Sequence, residues 1–256
     1  MSTRHPSRWK ASAATAFVCA SQLVPAMAQT PSTCSARSPA SITPVVELYT
    51  SEGCNSCPPA DKWLSRLKAD PGIVALAFHV DYWDRLGWKD RFGSPAYTQR
   101  QAQQQTSNGA RFSYTPQVVL DGADHKDWYS APAPSSAKAR TAATVELALV
   151  RDGDRITATV QPSANAPARL AAFWAVTEQG HVTAVKAGEN EGVSLTHDFV
   201  VREYKPVTAW AVQPGAPVTL SFNPTLAAAA GHARHVNLVV LDAATGKPVQ
   251  AVKLGC

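Results

Sequence analysis

Hydrophobic and polar residues fall into two textures along this chain, and they change near Ala143. Before that point, apolar runs alternate with segments of helical periodicity. Val45-Val46-Glu47-Leu48-Tyr49 predicts a strand. Ala60, Trp63, Leu64 and Leu67 then recur at helical spacing, and Asp70-Pro71-Gly72 ends that helix. The continuous apolar run from Ile73 to Val80 predicts a strand buried on both faces, as in a parallel sheet. Ser94-Pro95 offers a cap and a first-turn proline for a glutamine-rich helix that stops at Asn108-Gly109. Thr115-Pro116 opens a further strand that ends in the Asp121-Gly122 turn, and a short helix is expected from Ser135 to Ala143.

After Ala143 the pattern is strand after strand. Val145–Val150, Arg155–Val160, Arg169–Val176, His181–Val185 and Leu195–Val201 are candidates, followed by Val207–Val212, Pro217–Phe222, His235–Leu241 and Val249–Leu254. Short strands at this spacing, with Asp152-Gly153 and Gln179-Gly180 as turn signals, predict an all-β sandwich-like unit. The expected organisation is therefore an α/β unit over residues 29–143 and a β-sandwich-like unit over residues 144–256.

The first 28 residues stand apart from both units. Arg4, Arg8 and Lys10 form a basic region, the stretch from Ala11 to about Pro25 is apolar and small, and Ala26-Met27-Ala28 is a cleavage pattern. This reads as a secretory signal peptide, too short and wrongly flanked for a spanning helix. No later segment has transmembrane length, so no membrane insertion is expected after cleavage and the mature protein should reside in the periplasm or be secreted. Removal of the signal lowers the formal net charge from +5 to +2, and the remaining basic residues are scattered among acids. Nucleic acid and anionic membranes are therefore disfavoured as partners.

Cleavage also removes Cys19, leaving Cys34, Cys54, Cys57 and Cys256. Four cysteines in an exported chain suggest two disulfides, with three possible pairings. Pairing Cys54 with Cys57 is the local choice, and it leaves Cys34 with Cys256 as a structural disulfide between the ends of the mature chain. Cys54-Asn55-Ser56-Cys57 itself is chemically ambiguous. Two thiols at this spacing can close and reopen by exchange, form a permanent bridge, or supply half of a zinc site. No second C-x-x-C or H-x-x-x-H pair completes four zinc ligands, so no metal site is expected. A Cu(I)-handling role, using both thiols with His79 and Asp81 at the end of the buried strand, is an alternative. No cofactor is expected.

Strand, C-x-x-C, amphipathic helix, buried strand and a Thr-Pro opening another strand is the thioredoxin-like order. The chain also resembles an exported bacterial family of thioredoxin-like proteins of unknown function. The resemblance rests on Val46-Glu-Leu-Tyr-Thr-Ser-Glu-Gly-Cys-Asn-Ser-Cys-Pro-Pro-Ala-Asp61, on His79-Val-Asp-Tyr-Trp-Asp84 and on Tyr114-Thr-Pro-Gln117. Gly188-Glu-Asn-Glu-Gly192, Leu195, His197 and Val200-Val-Arg202 look like the same family's second half. It implies an α/β thioredoxin-like domain followed by an all-β sandwich-like domain. Cys54 becomes an exposed attacking thiol above a helix N-terminus, and Cys57 the resolving thiol. A cis Thr115–Pro116 peptide would bind substrate opposite the sulfur of Cys54. Glu47 would be a buried carboxylate assisting proton transfer, with a solvated strand glutamate as the alternative. The expected activity is thiol–disulfide exchange with protein thiols and disulfides. The alternative from another class is a non-enzymatic envelope protein whose C-x-x-C is a structural bridge and whose sandwich binds a partner. Tyr82, Trp83, Trp88 and Phe92 are either an apolar substrate rim or packing residues, and His197 and Arg202 carry no identifiable chemistry.

Overall fold

Strand β2 (Val45–Thr50) and strand β3 (Val74–His79) are apolar along nearly their whole length, and every residue in both is buried. They pair in parallel from Val45 opposite Val74 to Thr50 opposite His79. A parallel pair needs a crossover, and helix α1 (Pro58–Ser65) with the 3-10 turn at Arg66–Ala69 supplies it. These features come from a computed structural model that describes residues 1–3 and 34–256. Arg4, Arg8, Lys10, Cys19 and the Ala26-Met27-Ala28 cleavage pattern lie outside the described residues.

The two faces of β2 serve different layers. Val46 and Leu48 pack with Ala60, Trp63 and Leu64 of α1. Val45 and Tyr49 face the opposite way, toward Phe78 and Tyr97. Tyr97 belongs to helix α2 (Pro95–Ser107), whose N-cap Ser94 accepts a hydrogen bond from the Ala96 N–H as its sequence predicts. Glu47 shares this second face. Strand β4 (Gln117–Leu120) pairs antiparallel with β2, and the short strand β5 (Ala123–Asp124) completes that edge.

The expectation of an α/β thioredoxin-like domain followed by an all-β sandwich-like domain is not met. The described residues are mostly β-sheet, with fourteen strands in three sheets and two α-helices. The other strands are β1 (Cys34–Arg37), β6 (Val145–Asp152), β7 (Arg155–Pro162), β8 (Arg169–Glu178), β9 (His181–Ala184), β10 (Ser194–His197), β11 (Val200–Ala211), β12 (Val218–Phe222), β13 (Arg234–Asp242) and β14 (Pro248–Leu254). Eight strands form one sheet in the order β14-β13-β8-β11-β3-β2-β4-β5. The joint is β3 against β11, parallel at Ala77 opposite Val200. The physical reason lies in the outer edge of β3. Its backbone groups are buried and must find partners, and the segment around Phe199 and Val200 provides them.

A second sheet, β1-β6-β7-β12, covers one face of the far half of the large sheet. Leu147, Leu149, Ile156 and Val160 from this layer share a core with Leu170, Trp174, Leu238 and Val252. Strand β1 had no signal in the hydrophobic pattern, yet it pairs with β6, so the first described strand sits among the last ones. Cys34 and Cys256 are joined by a disulfide across 222 residues of sequence. Two further expectations need correction. Ser135–Ala143 forms turns and a single bridge from Ala142 to Ser41, with no helix. The strand expected over Leu195–Val201 is broken between His197 and Val200, while Val207–Val212 merges into the long β11. No helix among the described residues is long and apolar enough to cross a membrane.

Between the sheet and α2 lies a buried ion pair. Arg100 donates to both oxygens of Glu47, at 3.0 and 2.7 Å, and Gln104 and Tyr49 donate to the same carboxylate at 3.1 and 2.5 Å. Both partners are nearly sealed from water, at 1% and 5% exposure. Removing one partner leaves the other charge desolvated without compensation. Arg100→Met should therefore cost about 3–5 kcal/mol, measured as a fall in the urea unfolding midpoint at unchanged slope.

Candidate functional site

The C-x-x-C lies in the turn that carries β2 into α1. The Cys54 N–H donates to the Ser51 carbonyl at 3.2 Å, and the Cys57 N–H to the Cys54 carbonyl at 3.2 Å. This tight turn brings the two sulfurs together in a disulfide with an S–S distance of 2.12 Å. Cys57 is the N-cap of α1, and Pro58 and Pro59 are its first two residues. Prolines suit that position because the first N–H groups of a helix have no internal partner. They also remove two donors that could otherwise have solvated a thiolate, so the helix end offers less than the sequence suggested.

Cys54 was expected to be exposed, with Cys57 behind it. Both are 0% exposed. Three neighbours account for this. The Thr115 hydroxyl donates to Cys54 Sγ at 3.4 Å, and Ser56 Oγ is also 3.4 Å from it. The turn at residues 188–192 then grips the loop from the other half of the chain. Asn190 donates to the carbonyls of Glu52 and Cys54 at 2.9 and 3.0 Å, and Glu189 accepts from the Asn55 N–H at 3.1 Å. Gly53 permits a close approach on another side, since a Cβ there would meet Trp83 Cβ at 3.2 Å.

Thr115–Pro116 is a cis peptide, and the Thr115 hydroxyl accepts from the Trp83 indole at 2.8 Å. Trp83, Thr115 and Cys54 thus form one chain of contacts. Glu47 is elsewhere. Its carboxylate is occupied by Arg100 on the α2 face of the sheet, away from the α1 face that carries the disulfide. Other acids lie close to the cysteine loop. Asp61, one turn along α1 from Cys57, accepts from Thr50 Oγ1 at 3.0 Å. Glu52, two residues before Cys54, accepts from the Trp88 indole at 2.8 Å.

His197, at the end of β10, lies between these two acids. Its Nε2 is 3.5 Å from Glu52 Oε1, and its Nδ1 is 3.9 Å from Asp61 Oδ1. Beside it stands His79, with ring centroids 4.9 Å apart. The Nδ1 of His79 meets Asp90 Oδ2 at 2.7 Å, and that carboxylate also accepts the Glu52 N–H at 2.9 Å. Two acids, a histidine and an acid–histidine pair are therefore buried together under the cysteine loop. Burial alone would lower the His197 imidazole, but Asp61 and Glu52 outweigh it and raise it to about 9. Burial would raise the Glu52 carboxyl, yet nearby His197 and Thr183 and the hydrogen bond from Trp88 hold it below its ordinary value. For Asp90 burial acts in the same upward direction, and the charge and hydrogen bond of His79 reverse it.

His79 and Asp81 each have another partner. His79 is held by Asp90, and Asp81 accepts from Thr98 Oγ1 at 2.5 Å. Among the described residues no group of three or more His, Cys, Asp or Glu side chains has metal-holding geometry. The four aromatics divide their roles. Trp83 and Trp88 donate into the site, Phe92 packs against His79 at 5.3 Å, and Tyr82 is tilted against Trp83 at 6.4 Å.

The family model described as "Protein of unknown function (DUF1223)" matches residues 45–241. The chain belongs to the DUF1223 family. That match contains Cys54, Cys57, Thr115, Asn190 and His197, and leaves Cys34 and Cys256 outside. Among solved structures, this DUF1223 chain is similar to a protein of Agrobacterium tumefaciens determined by X-ray crystallography. They share 26% identity and a TM-score of 0.60 over 84% of this chain and 94% of that one. HBP35 of Porphyromonas gingivalis is 14% identical, with a TM-score of 0.56 over 84% of this chain and 76% of that one, a likeness of fold alone. No curated protein matches this chain.

Glu189, Asn190 and Asp61 stand in the sequence only within the family motifs, with no role attached, and Asp90 stands outside them. Gly188-Glu-Asn-Glu-Gly192 was a visible signal, since a polar turn between two glycines has no packing purpose of its own. The buried acids had none, because an acid on an amphipathic helix or in a polar loop reads as solvated.

The His197 arrangement has a pH consequence. The folded protein binds this proton more tightly than the unfolded chain, whose imidazole titrates near 6.5. The resulting stabilisation is complete below about pH 6.5 and is lost as pH rises through about 9. It amounts to about 3 kcal/mol. The stability of the wild type should therefore fall more between pH 6.5 and pH 10 than that of His197→Gln, by about that amount, in urea titrations at each pH.

Proposed function

We propose that this DUF1223 protein is an exported thiol–disulfide exchange protein that acts on protein disulfides through Cys54 and Cys57. The observation that carries the reading is the asymmetry of the two sulfurs. The Thr115 hydroxyl touches Cys54 Sγ, while Cys57 caps the helix. That asymmetry suits Cys54 as the attacking sulfur and Cys57 as the resolving one. In the reduced protein, the Cys54 thiolate attacks one sulfur of a substrate disulfide and a substrate thiolate leaves. The Cys57 thiolate then attacks Cys54 Sγ, the second substrate thiolate leaves, and the Cys54–Cys57 bond reforms. Two electrons pass to the substrate, and its two sulfurs take up the protons that the cysteines lose. Running the steps backward oxidises a substrate dithiol.

Energetics favour different roles for the two disulfides. In the chain-entropy model a bridge closing only the Cys54–Cys57 turn stabilises by about 2 kcal/mol, and one spanning the Cys34–Cys256 separation by about 5 kcal/mol. The long bridge is the efficient staple. A second reading, in which Cys54–Cys57 is also permanent in a non-enzymatic envelope protein, draws support from the complete burial of both cysteines. Under the exchange reading, the turn at residues 188–192 must yield before a protein substrate can reach Cys54.

The two readings are separated by releasing that turn. Asn190→Ala removes the hydrogen bonds to the Glu52 and Cys54 carbonyls and should speed reduction of Cys54–Cys57 by dithiothreitol at least about tenfold. Cys57→Ser should accumulate mixed disulfides through Cys54 with periplasmic proteins, visible on non-reducing gels. If Asn190→Ala leaves the bond as resistant as in wild type and Cys57→Ser traps nothing, the bond is a staple.

A further inference from the structure

A cavity of about 620 Å³ opens beside the start of β9, and its rim is unusually cationic. Arg91, Arg202, His181 and His232 line it together with the ring of Phe92. Both guanidinium groups lie over the Phe92 ring, Arg91 at 4.5 Å and Arg202 at 5.3 Å from its centroid. His181 and His232 stack at 3.8 Å with ring planes 16° apart. Two guanidinium groups and two imidazoles are thus drawn to one place from four separate segments of the chain.

The nearest carboxylates do not balance them. Glu178 accepts from Arg202 at 2.6 Å and His181 at 3.0 Å through one oxygen, and from the Ala229 N–H at 3.1 Å through the other. Asp198, behind the rim, is taken by the Gly180 N–H at 2.9 Å and Lys68 at 2.8 Å. Arg91 uses one nitrogen, on the Val182 carbonyl at 3.3 Å. Arg202 likewise bonds only through Nη1 among the described residues, so most of its fork remains free to donate. Burial lowers the His181 imidazole despite the hydrogen bond to Glu178, and the positive charge of Arg202 pushes it the same way.

We infer that this cavity binds a tetrahedral oxyanion, a sulfate or phosphate group, held between the guanidinium groups of Arg91 and Arg202 with the histidines at its side. Guanidinium forks match the oxygens of such groups, and the aromatic ring holds both forks in place. The site is separate from the disulfide and does not depend on its chemistry. Free inorganic anions and phosphate or sulfate esters share the recognised group, so both must be tried.

Calorimetric titration of the full mature chain with sodium sulfate, against sodium chloride at matched ionic strength, tests this directly. One saturable sulfate site is expected. Arg91→Gln should weaken it at least about tenfold, about 1.4 kcal/mol. Arg91 is exposed, and its exchange leaves the fold intact; Arg202→Gln should act similarly, with circular dichroism reporting whether its lost bond to Glu178 unfolds the chain. Arg155→Gln, on β7, should change nothing. Parallel titrations with inorganic phosphate and glycerol 3-phosphate then tell a free anion from an ester. Absence of saturable sulfate binding to the wild type, or wild-type affinity in folded Arg91→Gln, would overturn the inference.

Discussion

The hydrogen bond from the Ala77 N–H to the Phe199 carbonyl, at 2.8 Å, joins two halves that the hydrophobic pattern separates. Strand β3 is buried on both faces and cannot leave its outer edge unpaired. Pairing β11 there in parallel fixes where the preceding strand β10 must lie. It brings His197 over the first turn of α1 and the 188–192 turn over the cysteine loop. The hinge is Phe199, whose φ of 56° is left-handed, an uncommon conformation for a bulky side chain. Strain of this kind costs about 1–3 kcal/mol. Burial of the phenyl ring in the core beneath α1 offsets it, at about 2 kcal/mol for a fully buried side chain.

Charge reinforces the same joint. Glu52, Asp61 and Asp90 all come from the first half and are all buried. Buried carboxylates need opposite charge or donors nearby, because desolvation alone would neutralise them. His79 and Trp88 supply part of this from within the first half, and His197 supplies the rest from the second. The second half is thus a structural component of the cysteine site rather than an appended module. A cut near residue 143 would leave Glu52 and Asp61 without His197 and the Cys54 loop without Asn190.

Local signals in the sequence were strong where backbone chemistry is local. The Ser94 cap, the apolar run of β3 and most later strands all stand close to where the pattern puts them. What escaped was long-range. Strand β1 is four residues of mixed character whose place depends on β6, over a hundred residues away. The break at Asp198-Phe199 carries no glycine or proline to mark it in the sequence. At the site, the C-x-x-C and Thr115-Pro116 were legible because their residue types carry the chemistry. The burial of Asp61 and Glu52 was not, since it is created by β10, whose approach is decided by the β3 edge.

The same joint also decides what the disulfide can do. The turn that holds the cysteine loop does so through Asn190 and Glu189, with side-chain-to-backbone hydrogen bonds and an exposed Glu189. Three such bonds contribute about 3 kcal/mol together, at about 1 kcal/mol each. A fully closed site and a reactive one are therefore separated by only a few kilocalories per mole. Burial of Cys54 and its proposed reactivity are compatible because the cover is a polar turn and not part of the core. A partner offering an extended backbone could replace those same hydrogen bonds, trading Asn190's hold on the Cys54 carbonyl for its own.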